Sequence, residues 1–269
     1  MIRLWHQSIS ELDHLPHYRQ MLIDHASRVT DTDTVMEVHG MLEGTYPAGV
    51  SPIDALGSPW CHYLANVQIV ESAIKAESEG YDAVAITCFH DPGLQEARSV
   101  VDIPVVSMCE SALLTASTLG DSLGLVGVGP ANAYLVRRLV RRYGFEGRVA
   151  GVLQLENPVN EHEIDAMFDS ESSITKAFYA AARTAIALGA DVIVPSESLL
   201  NTALVKQGVQ HVDGIPVVDA FAIMLTHAEM LVRLRRSTGL VVSRAQKYAK
   251  PDALSLDHMR AAAAAALTD

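Results

Sequence analysis

A cysteine and a histidine stand two positions apart, just after an expected buried strand. Residues 83–86 read Ala-Val-Ala-Ile, an apolar run typical of parallel strands covered on both faces. Cys88 and His90 follow, and Asp91 and Pro92 fit the N-cap and the first position of a helix. Open α/β sheets bind ligands at such strand ends, and a helix N-terminus favours the thiolate form of a cysteine. We therefore expect Cys88 to be a reactive thiol, the alternative being a small core residue.

The chain repeats part of itself, and the repeat sets a carboxylate opposite the thiol. Residues 80–84 (Gly-Tyr-Asp-Ala-Val) match 189–193 (Gly-Ala-Asp-Val-Ile) at an offset of 109, and two downstream Ile-Pro-Val-Val strings match at an offset of 112. The first offset carries Cys88 onto Glu197, again between a strand and a helix. Two proton-transfer groups on opposite walls of a cleft are what inversion at a carbon beside a carbonyl requires. The alternative for Glu197 is a carboxylate that only suits a helix dipole.

Further polar residues stand at expected strand ends and helix starts. His90 would favour the thiolate if protonated, or act as an acid itself. The candidates for substrate contact are His6, Gln7, Ser8, His39, Thr87, Phe89, Pro130, Ala131, Ser196 and Ser198. For the short donors Thr87, Ser196 and Ser198, the alternative is that the side chain only ends a strand or caps a helix. The turn-rich stretch 44–59 is long for a connection and would suit a lid over the site, the alternative being an ordinary surface loop.

Strand and helix signals alternate along the chain. Strands are predicted at 2–5, 35–38, 83–86, 103–106, 123–128, 149–153, 192–194 and 215–218, with helical patterns between them. This alternation predicts an α/β protein of two similar doubly wound parallel-sheet lobes, related by pseudo-two-fold symmetry, with the active site in the cleft between them. We expect the first lobe over 1–115, the second over 116–228, and a C-terminal helical segment over 229–269 that packs back on the lobes.

Composition excludes several classes of protein. The net charge of −12 argues against nucleic acid and anionic membrane surfaces as partners. The hydrophobic fraction of 49% supports a large core, and the odd count of 3 cysteines favours a reducing cytoplasm over secretion. The sequence shows neither a signal peptide nor an apolar run long enough to span a membrane. We expect a cytoplasmic enzyme that acts on a small-molecule substrate and assembles as a homo-oligomer.

The segment around Cys88 resembles a known family. The string Cys-Phe-His-Asp-Pro-Gly-Leu at 88–94, followed by Asp-Ile-Pro-Val-Val at 102–106, is similar to the aspartate/glutamate/hydantoin racemase superfamily and within it to the hydantoin racemase branch. The resemblance implies two α/β lobes, an active site between them that needs no cofactor, and a pair of catalytic cysteines of which Cys88 is the first.

The second thiol of that pair is replaced in this chain. Glu197, preceded by Ser196, stands where the family places its second cysteine, and neither Cys61 nor Cys109 is at an equivalent point. A carboxylate there would act as the second base or orient a water, so hydrolysis, decarboxylation and other lyase or isomerase chemistry stay open beside racemisation.

Two further alternatives stay open. The side chains of His6, His39, Cys88, His90 and Glu197 would satisfy a divalent metal and a hydrolase if they converged, although no metal-binding spacing supports this. Two facing lobes would also suit a non-catalytic protein that closes on a small anion.

Overall fold

The first lobe is built on a four-stranded parallel sheet. The structure, a computed structural model, describes residues 1–159 and 173–268. The strands of this lobe are β1 (Ile2–Ser8), β2 (Thr34–His39), β3 (Ala83–Thr87) and β4 (Val105–Ser107), and its helices are α1 (Pro16–Val29), α2 (Pro52–Ala55), α3 (Pro59–Ser78), α4 (Leu94–Val100) and α5 (Met108–Leu119). The strand order is β2-β1-β3-β4, which makes β1 and β3 the central strands. All five residues of β3 are buried, as its apolar sequence predicts.

The second lobe repeats this plan. Its strands are β5 (Leu123–Gly127), β6 (Val149–Gln154) and β7 (Val192–Pro195), and its helices include α6 (Pro130–Tyr143), α7 (Ser173–Ala187) and α8 (Ser198–Lys206). The order β6-β5-β7 is parallel throughout and mirrors the order β2-β1-β3 of the first lobe. The prediction of an α/β protein with two similar lobes is therefore confirmed.

The pairing of single residues shows that the two lobes are repeats. Val84 of β3 pairs with Val105 in the first lobe, and Ile193 of β7 pairs with Val217 in the second. The two offsets found in the sequence relate these pairs to each other. The structure thus supports both anchors of the duplication, including the longer intervening loop in the second lobe.

The segment 215–218, predicted as a strand, has a different structure. The segment forms an antiparallel hairpin of β8 (His211–Val212) and β9 (Ile215–Pro216), and it joins the lobe's main sheet only through the Val217 bridge. Proline lacks the N–H that a central ladder needs, so Pro216 favours this edge position. The predicted acidic segment 156–171 lies largely outside the described residues.

The long helix α9 (Ala220–Thr238) ties the lobes together. It follows the second lobe in sequence, yet it packs against β3, β4 and α5 of the first lobe. Its N-cap, Asp219, lies with Oδ2 2.5 Å from Nε2 of His25 in α1. Buried apolar residues of both lobes form one continuous cluster. The boundary expected at residue 228 falls within α9, so the end of the second lobe stays a prediction.

The chain beyond α9 lies along the first lobe. Arg244 and Lys250 both form ion pairs with Asp102, and Arg260 in the last helix, α10 (Ala253–Thr268), pairs with Glu71 of α3. Among the described helices, none combines the length and apolarity that crossing a membrane would need.

Candidate active site

The thiol of Cys88 lies immediately beyond the carboxyl end of β3. Its side chain is buried in an apolar cluster that includes Ile9, Leu56 and Ile69. The backbone N–H of His90 points at the sulfur, with N to Sγ 3.4 Å. A donor at this position favours negative charge on the sulfur. The structure therefore places Cys88 at a strand end, as the sequence predicts.

The turn after Cys88 differs from the prediction. Asp91 and Pro92 are not the N-cap and first residue of α4, because that helix starts at Leu94 and its N-cap is Gly93. Asp91 has a φ of 47° and Gly93 a φ of 63°, so the chain turns twice through the left-handed region before the helix begins. Such a conformation is costly for a non-glycine residue and persists only when neighbouring bonds hold it.

The carboxylate of Asp91 supplies those bonds. It accepts hydrogen bonds from the backbone N–H groups of Cys109 (3.0 Å) and Glu110 (2.9 Å) at the start of α5, and from the hydroxyls of Ser107 (2.5 Å) and Tyr143 (2.6 Å). Asp91 therefore caps α5, and it draws in Tyr143 from the second lobe. The free N–H groups at the start of α5 are therefore bonded to this carboxylate.

An asparagine of the second lobe joins the two strand ends. Asn132, in the first turn of α6, places Nδ2 3.1 Å from Nε2 of His90 and 2.9 Å from the carbonyl oxygen of Ser196. The bond to a carbonyl shows that this end of the amide is the donor. Both amide hydrogens are thus used, one in each lobe. The segments that carry Cys88 and Glu197 are consequently held against one another across the lobe interface.

These bonds also fix the state of His90. Burial, followed by the effect of nearby His62, lowers the pKa of His90 to about 4, so the imidazole is neutral at pH 7. Its Nε2 accepts from Asn132, so its single proton is on Nδ1. A protonated His90 that stabilises the thiolate is therefore not expected at neutral pH.

Two polar atoms at this junction are buried and lack a partner in the described part of the chain. They are Oδ1 of Asn132 and Oγ of Ser196. Both lie beside Gly127 at the end of β5, where an added Cβ would come within 1.8 Å of Oδ1 and 3.1 Å of Oγ. Glycine is required there because any side chain would displace the amide. Unpaired buried polar atoms are uncommon, and a ligand that pairs with both would explain them.

Glu197 is the N-cap of α8. Its Oε1 accepts from the hydroxyl of Ser198 (3.0 Å) and the N–H of Leu199 (3.1 Å), and its Oε2 accepts from the N–H of Leu200 (2.7 Å). Burial nevertheless raises the pKa of Glu197 above its ordinary value. A carboxylate has about four acceptor positions and three are occupied, which leaves one for a proton or a substrate. The capping role and a proton-transfer role are thus compatible.

Three other predicted contact residues lie in the first two strands. Gln7 accepts a hydrogen bond from Nε1 of Trp5 (2.9 Å), and the ring of His39 stacks on Trp5 with centroids 3.4 Å apart. The ring of His6 lies 6.0 Å from that of Phe221 in α9, and burial lowers its pKa to about 3. Gln7 and the ring of His39 thus contact Trp5, whereas both ring nitrogens of His6 are buried without a hydrogen-bond partner among the described residues. A role of these three residues in substrate contact stays a prediction.

The remaining candidates divide into two groups. Ser8 accepts from the N–H of Ser10 (3.1 Å), Thr87 contacts the sulfur of Met224 (4.0 Å), and Phe89 is buried in the core. These three side chains therefore contact other residues of the protein. Pro130 and Ala131 begin α6 at the lobe interface, where Pro130 is exposed and Ala131 half-buried, and they adjoin Asn132.

The turn-rich stretch 44–59 reaches across the lobe interface. Glu11 accepts from the N–H groups of Gly44 (3.2 Å) and Tyr46 (2.7 Å), and the Tyr46 hydroxyl donates to the carbonyl of Ile9 (2.7 Å). Its short helix α2 contacts α6 of the second lobe. The stretch is thus attached to the first lobe and covers the side of the interface where Leu56 packs near Cys88.

The residues of the metal alternative do not come together. Over 1–159 and 173–268, no three His, Cys, Asp or Glu side chains form a group that would hold a metal ion. His39 is stacked on Trp5 and Glu197 is engaged with the start of α8.

Sequence reasoning missed the roles of Tyr143, Gly127 and Asn132. Asn132 bridges both lobes through two hydrogen bonds. A signal was present in the string Gly-Val-Gly-Pro-Ala-Asn at 127–132, where a small residue ends the strand and an amide occupies the first helical turn. Tyr143 gave no local signal because Asp91 is distant in sequence.

These features define a two-lobed α/β protein with a thiol after a strand of the first lobe and a carboxylate after a strand of the second, in segments that Asn132 links. Residues 58–228 match the family model described as Asp/Glu/Hydantoin racemase. A hydantoin racemase of Pseudomonas sp. (strain NS671) is 30% identical over 201 residues, covering 74% of this chain and 76% of that protein. A hydantoin racemase of Rhizobium meliloti is 28% identical over 177 residues, covering 66% of this chain and 69% of that protein.

Solved structures show the same fold. An allantoin racemase from Klebsiella pneumoniae has a TM-score of 0.76 at 21% identity and covers 94% of each chain. An aspartate racemase homologue from Pyrococcus horikoshii OT3 has a TM-score of 0.57 at 14% identity, covering 87% of this chain and 100% of that one. The chain belongs to the Asp/Glu/hydantoin racemase family, and it is a racemase-type enzyme.

Proposed function

We propose that this protein inverts a carbon next to a carbonyl in a hydantoin-like cyclic amide, without a cofactor, using Cys88 and Glu197 on opposite walls of the cleft. The observation that carries this proposal is the orientation of Asn132. Its two Nδ2 hydrogens point at His90 and Ser196, so its unpaired Oδ1 is available only as an acceptor. An acceptor pairs with a ring N–H, which a hydantoin has, and repels a carboxylate, which has acceptors alone.

The proton-transfer step follows from the two side chains. The thiolate of Cys88 would remove the proton from one face of the carbon, and the carboxyl group of Glu197 would supply one to the other face. Burial raises the pKa of Glu197, which favours the protonated form that this direction needs. For the opposite enantiomer the two groups exchange roles. The Ser196 hydroxyl, buried and without a partner among the described residues, would donate to the enolate oxygen formed in between.

Solvent exchange tests this proposal directly. The protein should exchange the proton at C5 of substituted hydantoins for deuterium in D2O, with product of both configurations recovered by chirally resolved mass spectrometry. Cys88→Ser should abolish exchange on the face served by the thiol. Exchange on aspartate or glutamate with none on hydantoins would contradict the substrate class.

Hydrolase or lyase chemistry on the same scaffold gives a different result. Ring opening adds the mass of water, and decarboxylation removes that of carbon dioxide, whereas racemisation changes mass only by isotope. We also propose a cytoplasmic homo-oligomer, and light scattering of the purified protein tests the assembly.

A further inference from the structure

A groove between α3 and α6 has basic side chains that the proton-transfer site does not use. It is a cavity of about 500 Å³ that runs between one helix of each lobe. Arg138 and Arg142 line it, and in the ranges that the structure describes neither has a carboxylate at ion-pair distance. The third arginine, Arg141, pairs with Glu146 (3.2 Å). Arg138 and Arg142 are both exposed, so the groove carries positive charge that no neighbouring carboxylate among the described residues neutralises.

The floor of the groove holds a buried donor. His90 lines the groove and is only 7% exposed, and its Nδ1 is without a hydrogen-bond partner in the described residues. Because Nε2 accepts from Asn132, Nδ1 carries the proton. The lining of the groove therefore includes a residue with a buried, unpaired N–H group.

A second imidazole lines the same groove. It belongs to His62, whose Nδ1 lies 3.5 Å from Nδ2 of Asn66. Burial, then the positive charge of Arg138, lowers the pKa of His62, so the ring is neutral at pH 7. Nε2 of His62 and Oδ1 of Asn66 are both buried and lack a partner over the described residues. The negative charge of Glu96, which is exposed, also acts on His62.

We propose that this groove is a binding site for a small oxyanion, a phosphate or carboxylate group, separate from the proton-transfer site at Cys88. Two guanidinium groups, the N–H of His90 and the ring of His62 line it, and an oxyanion can accept hydrogen bonds from several such donors at once. The inner end of the site is His90, whose other nitrogen is bonded to Asn132. Bound anion therefore contacts a residue that is two positions from the thiol and that also touches the second lobe.

Calorimetry with inorganic phosphate and with succinate tests the site in the full-length protein at low ionic strength. We expect saturable binding by the unaltered protein, weakened about tenfold or more in Arg142→Ala and in Arg138→Ala because each loses a charge-assisted bond. Arg137→Ala is the matched control, since it removes the same charge from the same helix outside the groove and should bind within about twofold. The anion that binds more tightly identifies the source of the oxyanion.

Three results would overturn the proposal. The first is the absence of binding of either anion to the unaltered protein, the second is an equal loss in Arg137→Ala and Arg142→Ala, and the third concerns His90. The imidazole resonances of His90, assigned by their absence in His90→Gln, should move when phosphate is added, and no movement despite binding would place the anion elsewhere. Binding is measured without turnover, so its failure leaves the proposed racemase mechanism unaffected.

Discussion

Replacing Asp91 with asparagine should destabilise the Cys88 loop strongly. In the variant one carboxylate oxygen becomes an NH2 group. If the remaining oxygen stays with Ser107 and Cys109, the NH2 group faces the N–H of Glu110 and the hydroxyl of Tyr143. The tyrosine hydroxyl can rotate and accept, but the backbone N–H cannot.

The magnitude follows from counting these bonds. An unmade buried hydrogen bond costs about 1–3 kcal/mol, and the two that remain lose the strength that a charged acceptor gives them, about 1 kcal/mol each. Burial raises the pKa of Asp91, which shows that the charge itself is costly there, so removing it returns part of the loss. We expect the free energy of unfolding to fall by about 2–4 kcal/mol in Asp91→Asn.

Urea-induced unfolding followed by circular dichroism measures this change. Asp13→Asn is the control, because Asp13 is exposed and pairs with Arg19 on the surface, and it should change stability by less than about 0.5 kcal/mol. Tyr143→Phe removes only the bond from the second lobe and should cost about 1 kcal/mol. An Asp91→Asn protein as stable as Asp13→Asn would refute the account of this loop.

Two further predictions concern the thiols and the buried histidines. In a Cys61→Ser background, iodoacetamide should modify Cys88 with loss of activity and leave Cys109 intact, because Cys109 is fully buried and burial raises its pKa well above the usual range; prior reaction of Cys109 would contradict this. Burial lowers the pKa of His6 to about 3 and that of His90 to about 4, below the 6.5 of an unfolded chain, so each stabilises the fold fully above pH 6.5 and that stability is lost as the pH falls. The free energy of unfolding at about pH 5 should be about 2 kcal/mol lower per histidine than at pH 7. The His90→Gln variant should lose less stability over this pH range. Equal free energies of unfolding at the two pH values would be inconsistent with neutral buried rings.

Local patterns in the sequence predicted the features that depend on residues close together in the chain. The two lobes follow from strand and helix periodicity, and the duplication follows from two short matches that the Val84 and Ile193 pairings reproduce. Asp91 was misassigned because the sequence showed a helix start three residues on, whereas the free N–H groups of α5 come from a segment 18 and 19 positions away.

The site required long-range information for the same reason. Glu197 was found because the internal repeat aligns it with Cys88. The bridge could not be found in this way, because Asn132 is 42 positions from His90 and 64 positions from Ser196, and no local pattern relates them. The strand-end rule predicted His39 near the site, but it cannot specify side-chain direction, and this ring stacks on Trp5 instead.

The most direct test of the two-wall mechanism compares α-proton exchange with inversion in Glu197→Gln. Glutamine keeps an acceptor for the start of α8 and removes the second proton-transfer group, and removal of a general acid or base typically slows a reaction about 10²–10⁴-fold. We predict that inversion of a hydantoin substrate falls by such a factor while exchange from the face served by Cys88 persists. Glu156→Gln, an exposed change in the same lobe, should leave both rates unchanged. If both rates in Glu197→Gln stay within a few-fold of the parent protein, Glu197 is only the N-cap of its helix and the mechanism is contradicted.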